Sequence, residues 1–271
     1  MIKLRDVQNI RPFRSGGFAT VDRGELANGK KVVVRSLQKE LRFNLTMRRA
    51  FVRGIGIRRT LKAHPFIVPS RGSGGGLSPY EILDFVDGDT LVDWRTEMRG
   101  THYQHGINIM LQTAEVLEHV HSCGYLHLDV KPANFIVTMD DMKVTTHFTD
   151  FDLALPIRKE PYHDKSMRLG TFSYMAPELL ADGLIDIRTD TFAWGVLIYY
   201  LFSNCMPYPA DNAVASRKVK QDRNFTPKPL HHLCQWVPPE ASKVVMDCLI
   251  SDPGKRTAYM GPVIRDLRKL R

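Results

Sequence analysis

The sequence predicts an α+β protein with two lobes, a small β-rich N-terminal lobe (N-lobe, residues 1–86) and a larger α-helical C-terminal lobe (C-lobe, residues 87–271). Segments rich in β-branched residues dominate the first third of the chain, whereas apolar residues at helical spacing dominate the remainder. The charge divides similarly, since residues 1–78 carry a net charge of +13 and residues 79–271 a net charge of −4. Such asymmetry is typical of two lobes with different functions, or of a basic half that binds an anionic partner.

The N-lobe contains a predicted β-hairpin. Two extended segments, Phe18–Leu26 and Lys31–Leu37, are rich in residues that favour strands. They flank Asn28-Gly29, and an Asn-Gly pair between two strands is a strong signal for a tight hairpin turn. These residues therefore predict two adjacent antiparallel strands.

A strongly basic segment after the hairpin predicts a helix over residues 41–63, which the His64-Pro65 pair would end. A glycine-rich run at 71–76 follows and leads into a strand, Tyr80–Val86, rather than into a helix. Phosphate-binding loops lead into helix N-termini, so we expect a flexible hairpin tip at this run.

The C-lobe is predicted to be helical. Apolar residues recur at helical spacing over 107–121, and Gly124 is a stop signal. Residues 192–202 are apolar on all sides, which predicts a central helix that is buried all round. Two further helices are expected over 240–250 and 259–270, so the whole of 1–271 would form one two-lobed domain.

Composition excludes several classes of protein. Hydrophobic residues make up 43% of the chain and charged residues 25%, which argues against disorder and against a fibrous protein. The longest strongly apolar run, 192–202, is shorter than the ~20 residues that span a bilayer, and the first residues lack the apolar region of a secretory signal. The four cysteines have no C-x-x-C pairing, which indicates reduced thiols. We therefore expect an intracellular, cytoplasmic protein without a membrane span, with the nucleus left open.

Four motifs in the C-lobe carry chemistry. They are His127-Leu128-Asp129-Val130-Lys131-Pro132-Ala133-Asn134, then Asp150-Phe151-Asp152, then the segment from Gly170 to Glu178, and finally Asp252-Pro253-Gly254-Lys255-Arg256-Thr257. In this order and at these gaps, they resemble the eukaryotic-type Ser/Thr protein kinase family over nearly the whole chain. The resemblance implies a bilobal protein-kinase-like fold.

The resemblance also implies ATP-dependent phosphoryl transfer to Ser/Thr hydroxyls of proteins, with ATP and Mg²⁺ (or Mn²⁺) as cofactors. Asp129 would orient or accept the proton of the substrate hydroxyl, and Lys131 would neutralise charge on the transferred phosphoryl group. Asn134 and Asp150 would supply oxygen ligands to the metal. The Asp129-x-Lys131 spacing resembles the Ser/Thr branch of the family. The partners would be ATP and a protein substrate, or a partner protein that the chain regulates.

Nucleotide contacts implied by the resemblance extend into the N-lobe. They comprise Gly16, Gly17, Val21, Val33, Arg35, Asp84 and Val86, together with Asn134 and Asp150. The same resemblance assigns Glu178 and Arg256 to a buried structural ion pair, and Asp190 to a contact that ties the central helix to the catalytic loop. It makes His127 a packed structural residue.

The sequence departs from the family pattern at the predicted ATP site. Only Gly16 matches the three glycines of the family's glycine-rich turn. Arg35 stands at the lysine that holds the α- and β-phosphates, and the glutamate that pairs with that lysine is replaced by Gly54 or Ile55. Arginine is bulkier than lysine and pairs as a planar fork. Arg35 could therefore reach phosphate alone, or it could fill the nucleotide site.

Two further departures lie in the C-lobe motifs. Asp152 replaces the glycine of Asp-Phe-Gly, and it could add a charge near the metal, restrict the segment, or form an Asp-x-Asp metal pair with Asp150. Leu128 replaces the arginine that anchors a phosphorylated activation segment in the family. We therefore predict only weak dependence of activity on phosphorylation at Ser166 or Thr171.

Two other functions remain open at this point. A pseudokinase that scaffolds or regulates a partner would explain the altered clamp, and its contact surface could be the basic helix at Arg48–Lys62, although a solvated charged face accounts for the same residues. A small-molecule kinase would explain the Asp150–Asp152 spacing, but the Ala176-Pro177-Glu178 segment argues against it. We do not expect nucleic-acid binding, because the basic lobe has no recognition motif and few interleaved aromatic residues.

Overall fold

A five-stranded antiparallel sheet forms most of the N-lobe. The structure, a computed structural model, describes residues 1–97, 103–140, 143–164, 171–222 and 224–271. The strands are Val7–Ser15 (β1), Ala19–Leu26 (β2), Lys31–Leu37 (β3), Ser70–Gly74 (β4) and Tyr80–Asp84 (β5), in the order β1-β2-β3-β5-β4. The predicted hairpin is confirmed as β2 and β3, whose register pairs Val21 with Arg35.

Strand β1 was not predicted from the sequence. Val7 is its only buried residue, so the strand lacks the alternation of buried and exposed residues that identifies a half-buried strand. It pairs with β2 along one edge and is interrupted by two register shifts. Its backbone pairing, and not its side-chain pattern, makes it a strand.

The predicted flexible tip at residues 71–76 is wrong for its first four residues, because Gly72 and Gly74 lie within β4. A Cβ atom at Gly72 would collide with the carbonyl oxygen of Ile2, and one at Gly74 would collide with the ring of Tyr80. These glycines therefore permit close packing inside the sheet. The turn itself lies between β4 and β5.

The basic segment forms helix α1, Leu45–Thr60. Its N-cap is Asn44, whose Oδ1 accepts hydrogen bonds from the backbone N–H groups of Thr46 and Met47 at 3.1 and 3.2 Å. The helix continues through Gly54 and ends before the predicted stop at His64-Pro65. Phe51 and Ile55 pack with Leu37 of the sheet, which places α1 behind β3.

The C-lobe is mainly helical and also contains small sheets of two or three strands. Its helices are Leu91–Glu97 (α2), Tyr103–Ser122 (α3), Pro177–Asp182 (α4), Ile187–Ser203 (α5), Ala213–Gln221 (α6), Pro239–Cys248 (α7) and Met260–Arg268 (α8). Its strands are Asp89–Thr90 (β6), Tyr125–Leu126 (β7), Phe135–Asp140 (β8), Lys143–Phe148 (β9), Leu155–Pro156 (β10), Tyr162–His163 (β11) and Leu184–Ile185 (β12). The α+β architecture with two lobes is thus the observed fold.

Helix α5 is the centre of the C-lobe core, as its apolar sequence predicts. Trp194 is fully buried and donates from Nε1 to the Thr113 hydroxyl on α3 at 3.0 Å. Helices α3, α7 and α8 contribute to the same hydrophobic cluster. Among the described helices, none combines the length and the apolar character that a bilayer crossing requires.

Candidate active site

A cleft of 540 Å³ lies between the N-lobe sheet and the C-lobe. Its walls include every residue that the sequence assigned to catalysis, nucleotide or metal: Gly16, Gly17, Val21, Val33, Arg35, Asp84, Val86, Asp129, Lys131, Asn134 and Asp150. The structure therefore brings all of these residues to one place. Their roles remain predictions.

The floor of the cleft is the loop between β7 and β8, which carries Asp129, Lys131 and Asn134. The ammonium group of Lys131 lies 2.8 Å from Asp129 Oδ2. The side-chain amide of Asn134 donates to the Asp129 carbonyl oxygen at 2.7 Å and to Asp129 Oδ2 at 3.0 Å. These bonds hold the Asp129 carboxylate in one orientation beside a cation.

The environment of Asp129 makes its carboxyl group more basic than an ordinary aspartate. Burial raises the pKa of Asp129, and the positive charge and hydrogen bond of Lys131 reduce this rise without cancelling it. The neighbouring Asp150 acts in the same direction as burial. A raised pKa suits a group that has to accept a proton.

Asp190, in the first turn of α5, holds the start of this loop. Its buried carboxylate accepts hydrogen bonds from the backbone N–H groups of His127 and Leu128, both at 2.7 Å, and lies 2.8 Å from His121 Nε2. These bonds support Leu128 in the left-handed region, with φ of 63°. Asp190 therefore ties the central helix to the loop, as the resemblance implied.

His127 is packed inside the protein and is not available as a base in the cleft. It is fully buried and stacks on Phe148 at 4.2 Å. Its Nε2 lies within hydrogen-bonding distance of the Asp150 carbonyl oxygen, and its Nδ1 accepts from the Asp129 backbone N–H at 3.2 Å. It joins the loop of Asp129 to that of Asp150, in agreement with the structural role predicted for it.

Arg35 lies at the inner end of the cleft and points to two aspartates. Its Nη1 donates to Asp152 Oδ1 at 3.0 Å, and its Nη2 donates to Asp152 Oδ2 and, at 3.0 Å, to Asp150 Oδ1. Burial lowers the pKa of an arginine, but the two carboxylates outweigh burial and the pKa of Arg35 lies above its usual value. Arg35 is only 7% exposed and does not fill the cleft.

The two aspartates respond differently to this arrangement. Burial would raise the pKa of Asp150, but Arg35 and the backbone N–H of Asp152 hold it below its usual value. Burial and the charge of Asp150 raise the pKa of Asp152 to about 6, in spite of Arg35. Both Asp152 oxygens face Arg35, so the alternative of an Asp150–Asp152 metal pair does not match the structure.

The donor set at the cleft fits a hard divalent cation. The Asn134 amide group donates from nitrogen to Asp129, which leaves its Oδ1 without a hydrogen bond among the described residues. Asp150 Oδ1 accepts from Arg35 and from the Asp152 backbone N–H, so that Oδ2 likewise remains unengaged within the described part of the chain. Side-chain oxygens of this kind are the ligands that Mg²⁺ prefers in proteins.

The turn between β1 and β2 covers the cleft. The backbone N–H of Gly16 donates to the Ala19 carbonyl oxygen at 2.9 Å, and Gln38 Nε2 donates to the Gly16 carbonyl oxygen at 2.6 Å. A Cβ atom at Gly17 would meet nothing within 4 Å. Space for a ligand therefore remains beside the backbone of this turn.

Leu128 belongs to an apolar cluster that includes residues of the activation segment, the name used here for 150–178. The cluster joins Leu126 and Leu128 to Leu153, Leu155 and Met175. Leu128 carries no charge and so cannot replace the arginine that anchors a phosphorylated activation segment in the family. Ser166 and Gly170 lie outside the described residues, whereas Thr171 lines the cleft.

Below the activation segment, Arg256 and Glu178 form the predicted ion pair. Arg256 Nη1 and Nη2 lie 2.8 and 2.9 Å from the two Glu178 carboxylate oxygens. Arg256 also donates to the carbonyl oxygens of Arg188, Ile250 and Ser251. The pair fastens helix α4 to the start of α5 and to the segment that precedes α8.

Lys220 on α6 is a residue that the sequence did not single out. It is fully buried, and its Nζ donates to the carbonyl oxygens of Phe172, Ser173 and Met175 at 2.9, 3.0 and 2.8 Å. These carbonyls belong to the segment between the cleft and α4, which Lys220 therefore holds in place. Nothing in the sequence of a short basic helix distinguishes this lysine from its exposed neighbours.

Comparison with known proteins gives the same family as the motifs. The model of the protein kinase domain matches residues 8–264. The serine/threonine-protein kinase PrkC of Bacillus subtilis is 27% identical over 92% of this chain and 38% of its own length. A probable serine/threonine-protein kinase of Clostridium perfringens is 28% identical over 71% of this chain and 27% of its own length. PknA of Mycobacterium tuberculosis is 27% identical over 71% of this chain and 43% of its own length.

The chain spans less than half the length of these curated relatives. The family match, in contrast, covers both lobes from β1 to α8 and includes every motif that lines the cleft. The chain therefore belongs to the protein kinase domain family.

Proposed function

We propose that the chain transfers the γ-phosphoryl group of ATP to Ser/Thr hydroxyls of proteins. The observation that carries this proposal is the meeting of Asp129, Lys131, Asn134 and Asp150 at one open cleft. Phosphoryl transfer needs little covalent help from the protein, and it depends on positioned charge and a held nucleophile. The similar proteins are named serine/threonine-protein kinases, which supports the same activity.

Each of these residues has a defined task in the proposed reaction. Asp129 accepts a hydrogen bond from the substrate hydroxyl and takes its proton, while Lys131 places a positive charge beside the transferred group. Asn134 and Asp150 hold Mg²⁺ or Mn²⁺ through the oxygens that the protein leaves unengaged. The bound metal would neutralise charge on the phosphates and orient them.

The pseudokinase alternative rests on the replacement of the phosphate-holding lysine by Arg35 and on the missing glutamate partner. The geometry at Arg35 argues against a pseudokinase in which this arginine blocks the nucleotide site. An arginine that filled the nucleotide site would block ATP, but Arg35 is turned inward to Asp150 and Asp152. A small-molecule kinase is disfavoured because Lys220 and the Glu178–Arg256 pair hold an ordered segment where a peptide would bind. We therefore retain the protein kinase as the first proposal.

The test is a transfer assay with the purified chain, labelled ATP, Mg²⁺ or Mn²⁺, and generic protein substrates, followed by acid hydrolysis to identify the phosphorylated residue. Label on serine or threonine supports the proposal. Label on small molecules alone contradicts it. Absence of transfer, together with no rise in melting temperature at saturating ATP, favours the pseudokinase. A ligand at 100 times its Kd stabilises a protein by about 2.7 kcal/mol, so binding would be visible.

Activity should depend little on phosphorylation of the chain, because Leu128 sits in an apolar cluster that a phosphate cannot stabilise. We expect complete dephosphorylation with a broad-specificity phosphatase to lower the initial rate by less than about twofold, since Leu128 cannot pair with a phosphate as the arginine of the family would. Mass spectrometry verifies removal of phosphate, and protein treated with inactivated phosphatase is the control. A loss of activity by an order of magnitude would refute this expectation.

A further inference from the structure

We propose that Asp152 is a positioning residue that holds Arg35 from the C-lobe, and that the resulting pair joins the two lobes and keeps one oxygen of Asp150 free for the metal. The inference rests on the proposed function for its catalytic consequence. The geometry on which it depends exists in the protein alone. It gives Asp152 a partner, Arg35, that the sequence did not indicate.

The first step is the geometry of the pair. Arg35 is on β3 in the N-lobe sheet, and Asp152 follows β9 in the C-lobe. The guanidinium group meets both oxygens of Asp152 as a fork, whereas only Nη2 reaches Asp150. Arg35 is 7% exposed and Asp152 is 3% exposed. A buried bidentate pair of this kind fixes both side chains in direction as well as in distance.

Helix α1 contains no carboxylate that could pair with Arg35, and its Gly54 leaves space for Asp152. Gly54 lies against Asp152, and a Cβ atom at Gly54 would lie 2.8 Å from Asp152 Oδ1 and 2.9 Å from its backbone nitrogen. The next residue back, Arg53, donates to the carbonyl oxygens of Asp152 and Ala154 at 3.2 and 2.9 Å. The carboxylate beside this part of α1 therefore belongs to Asp152 of the C-lobe, because α1 contains no acidic residue.

Glu81 is another carboxylate near Arg35, but it pairs with a different arginine. Glu81 lies opposite Arg35 in the pairing of β3 with β5. It forms its ion pair with Arg58 of α1, at 3.1 Å between Arg58 Nε and Glu81 Oε1, and both side chains are almost completely buried. Asp152 is therefore the carboxylate that meets the guanidinium group of Arg35 with both oxygens, whereas Asp150 meets it with one.

The consequence concerns Asp150. Asp150, whose side chain lines the cleft, accepts through Oδ1 from Arg35 and from the Asp152 backbone N–H, and its Oδ2 has no hydrogen bond among the described residues. If Asp152 lost its charge, Arg35 would have Asp150 as its remaining close carboxylate. The fork would then turn onto both Asp150 oxygens, because a buried arginine requires a paired charge. The metal would lose a ligand although the substitution lies at another residue.

Asp152→Asn tests this with a side chain of the same shape. We expect the affinity for ATP to fall about tenfold in the presence of Mg²⁺ and to change by less than about twofold in EDTA, both measured by calorimetry, since the charge-assisted pair acts through the metal ligand. In the free protein, hydrogen exchange at residues 150–154 and in β3 should accelerate about tenfold relative to the β8–β9 hairpin.

The double variant Arg35→Gln with Asp152→Asn separates positioning from direct ligation. With no positive charge to turn onto Asp150, the ratio of ATP affinities with and without Mg²⁺ should return to within about threefold of the wild-type ratio. If Asp152 bound the metal itself, or only supported the fold, the double variant would be as weak as Asp152→Asn. That result would overturn the inference. So would an Asp152→Asn variant whose ratio of ATP affinities with and without Mg²⁺ equals that of the wild type.

Gly54→Ala provides an independent variant in case Asp152→Asn does not fold. It keeps every charge but forces Asp152 away from its present position, so the same loss in the Mg²⁺-dependent ratio is expected. The inference would be contradicted if Gly54→Ala had the wild-type ratio of ATP affinities with and without Mg²⁺ and wild-type hydrogen-exchange rates at residues 150–154 and in β3. If the wild-type chain binds ATP without transferring phosphate, the proposed function fails, yet the binding ratio and the exchange rates still decide the role of Asp152.

Discussion

Replacing Asp129 with asparagine should lower kcat by about 10²–10⁴-fold, the range typical of a lost proton-transfer group. The substitution preserves shape and removes the basic oxygen that would accept the proton of the substrate hydroxyl in the proposed reaction. Lys131, 2.8 Å from the carboxylate, also loses its counter-charge. The KM for ATP should change little, because in the proposed reaction Asn134 and Asp150, and not Asp129, would bind the metal–nucleotide complex. Steady-state kinetics with a phosphorylated-protein readout measures both constants.

The pH dependence provides a second check on Asp129. The pKa of Asp129 in the folded protein is higher than the pKa of an unperturbed aspartate, which is about 3.9. The wild-type rate should therefore begin to decline at a higher pH than an ordinary aspartate would cause. Asp129→Asn should lack this acid limb. Asp211→Asn, at an exposed aspartate that does not line the cleft, is the matched control and should retain wild-type kinetics. An Asp129→Asn variant with more than a tenth of wild-type kcat would exclude the assigned role.

Local sequence signals predicted most of the fold and the floor of the cleft. The Asn28-Gly29 turn marked a hairpin whose two strands the structure contains, and the all-round apolar run at 192–202 marked the buried helix α5. The loop from His127 to Asn134 was recognisable because its residue types stand at fixed spacing within eight positions. Such features are short-range, so a single sequence is sufficient to identify them.

The features that the sequence did not reveal depend on contacts between distant segments. Arg35 and Asp152 are 117 positions apart, and neither residue alone indicates that the other is its partner. Lys220 bonds to carbonyl groups, and a backbone acceptor leaves no trace in residue type. Strand β1 is defined by pairing with β2 while its side chains are mostly exposed, so it carries no alternation of polarity. In each case, tertiary structure supplies the information that the local pattern lacks.

Replacing Arg256 with alanine should lower the free energy of unfolding by about 3–5 kcal/mol, the usual cost of breaking a buried ion pair on one side. Arg256 is 4% exposed and meets both oxygens of Glu178. Its removal leaves that carboxylate without its cationic partner and takes a donor from the carbonyl oxygens of Ile250 and Ser251. Urea denaturation at neutral pH, followed by circular dichroism, measures the change.

A matched exposed pair distinguishes burial from ion pairing as the cause. Arg268 also lies 2.8 Å from a carboxylate, that of Glu115, but its side chain is 63% exposed. Arg268→Ala should therefore change stability by no more than about 1 kcal/mol, because solvent screens an exposed pair. Removing Glu178 together with Arg256 should cost less than the sum of the two single substitutions, since neither charge is then left buried and unpaired. Equal effects for Arg256→Ala and Arg268→Ala would show that the pair below the activation segment is not the support that its geometry indicates.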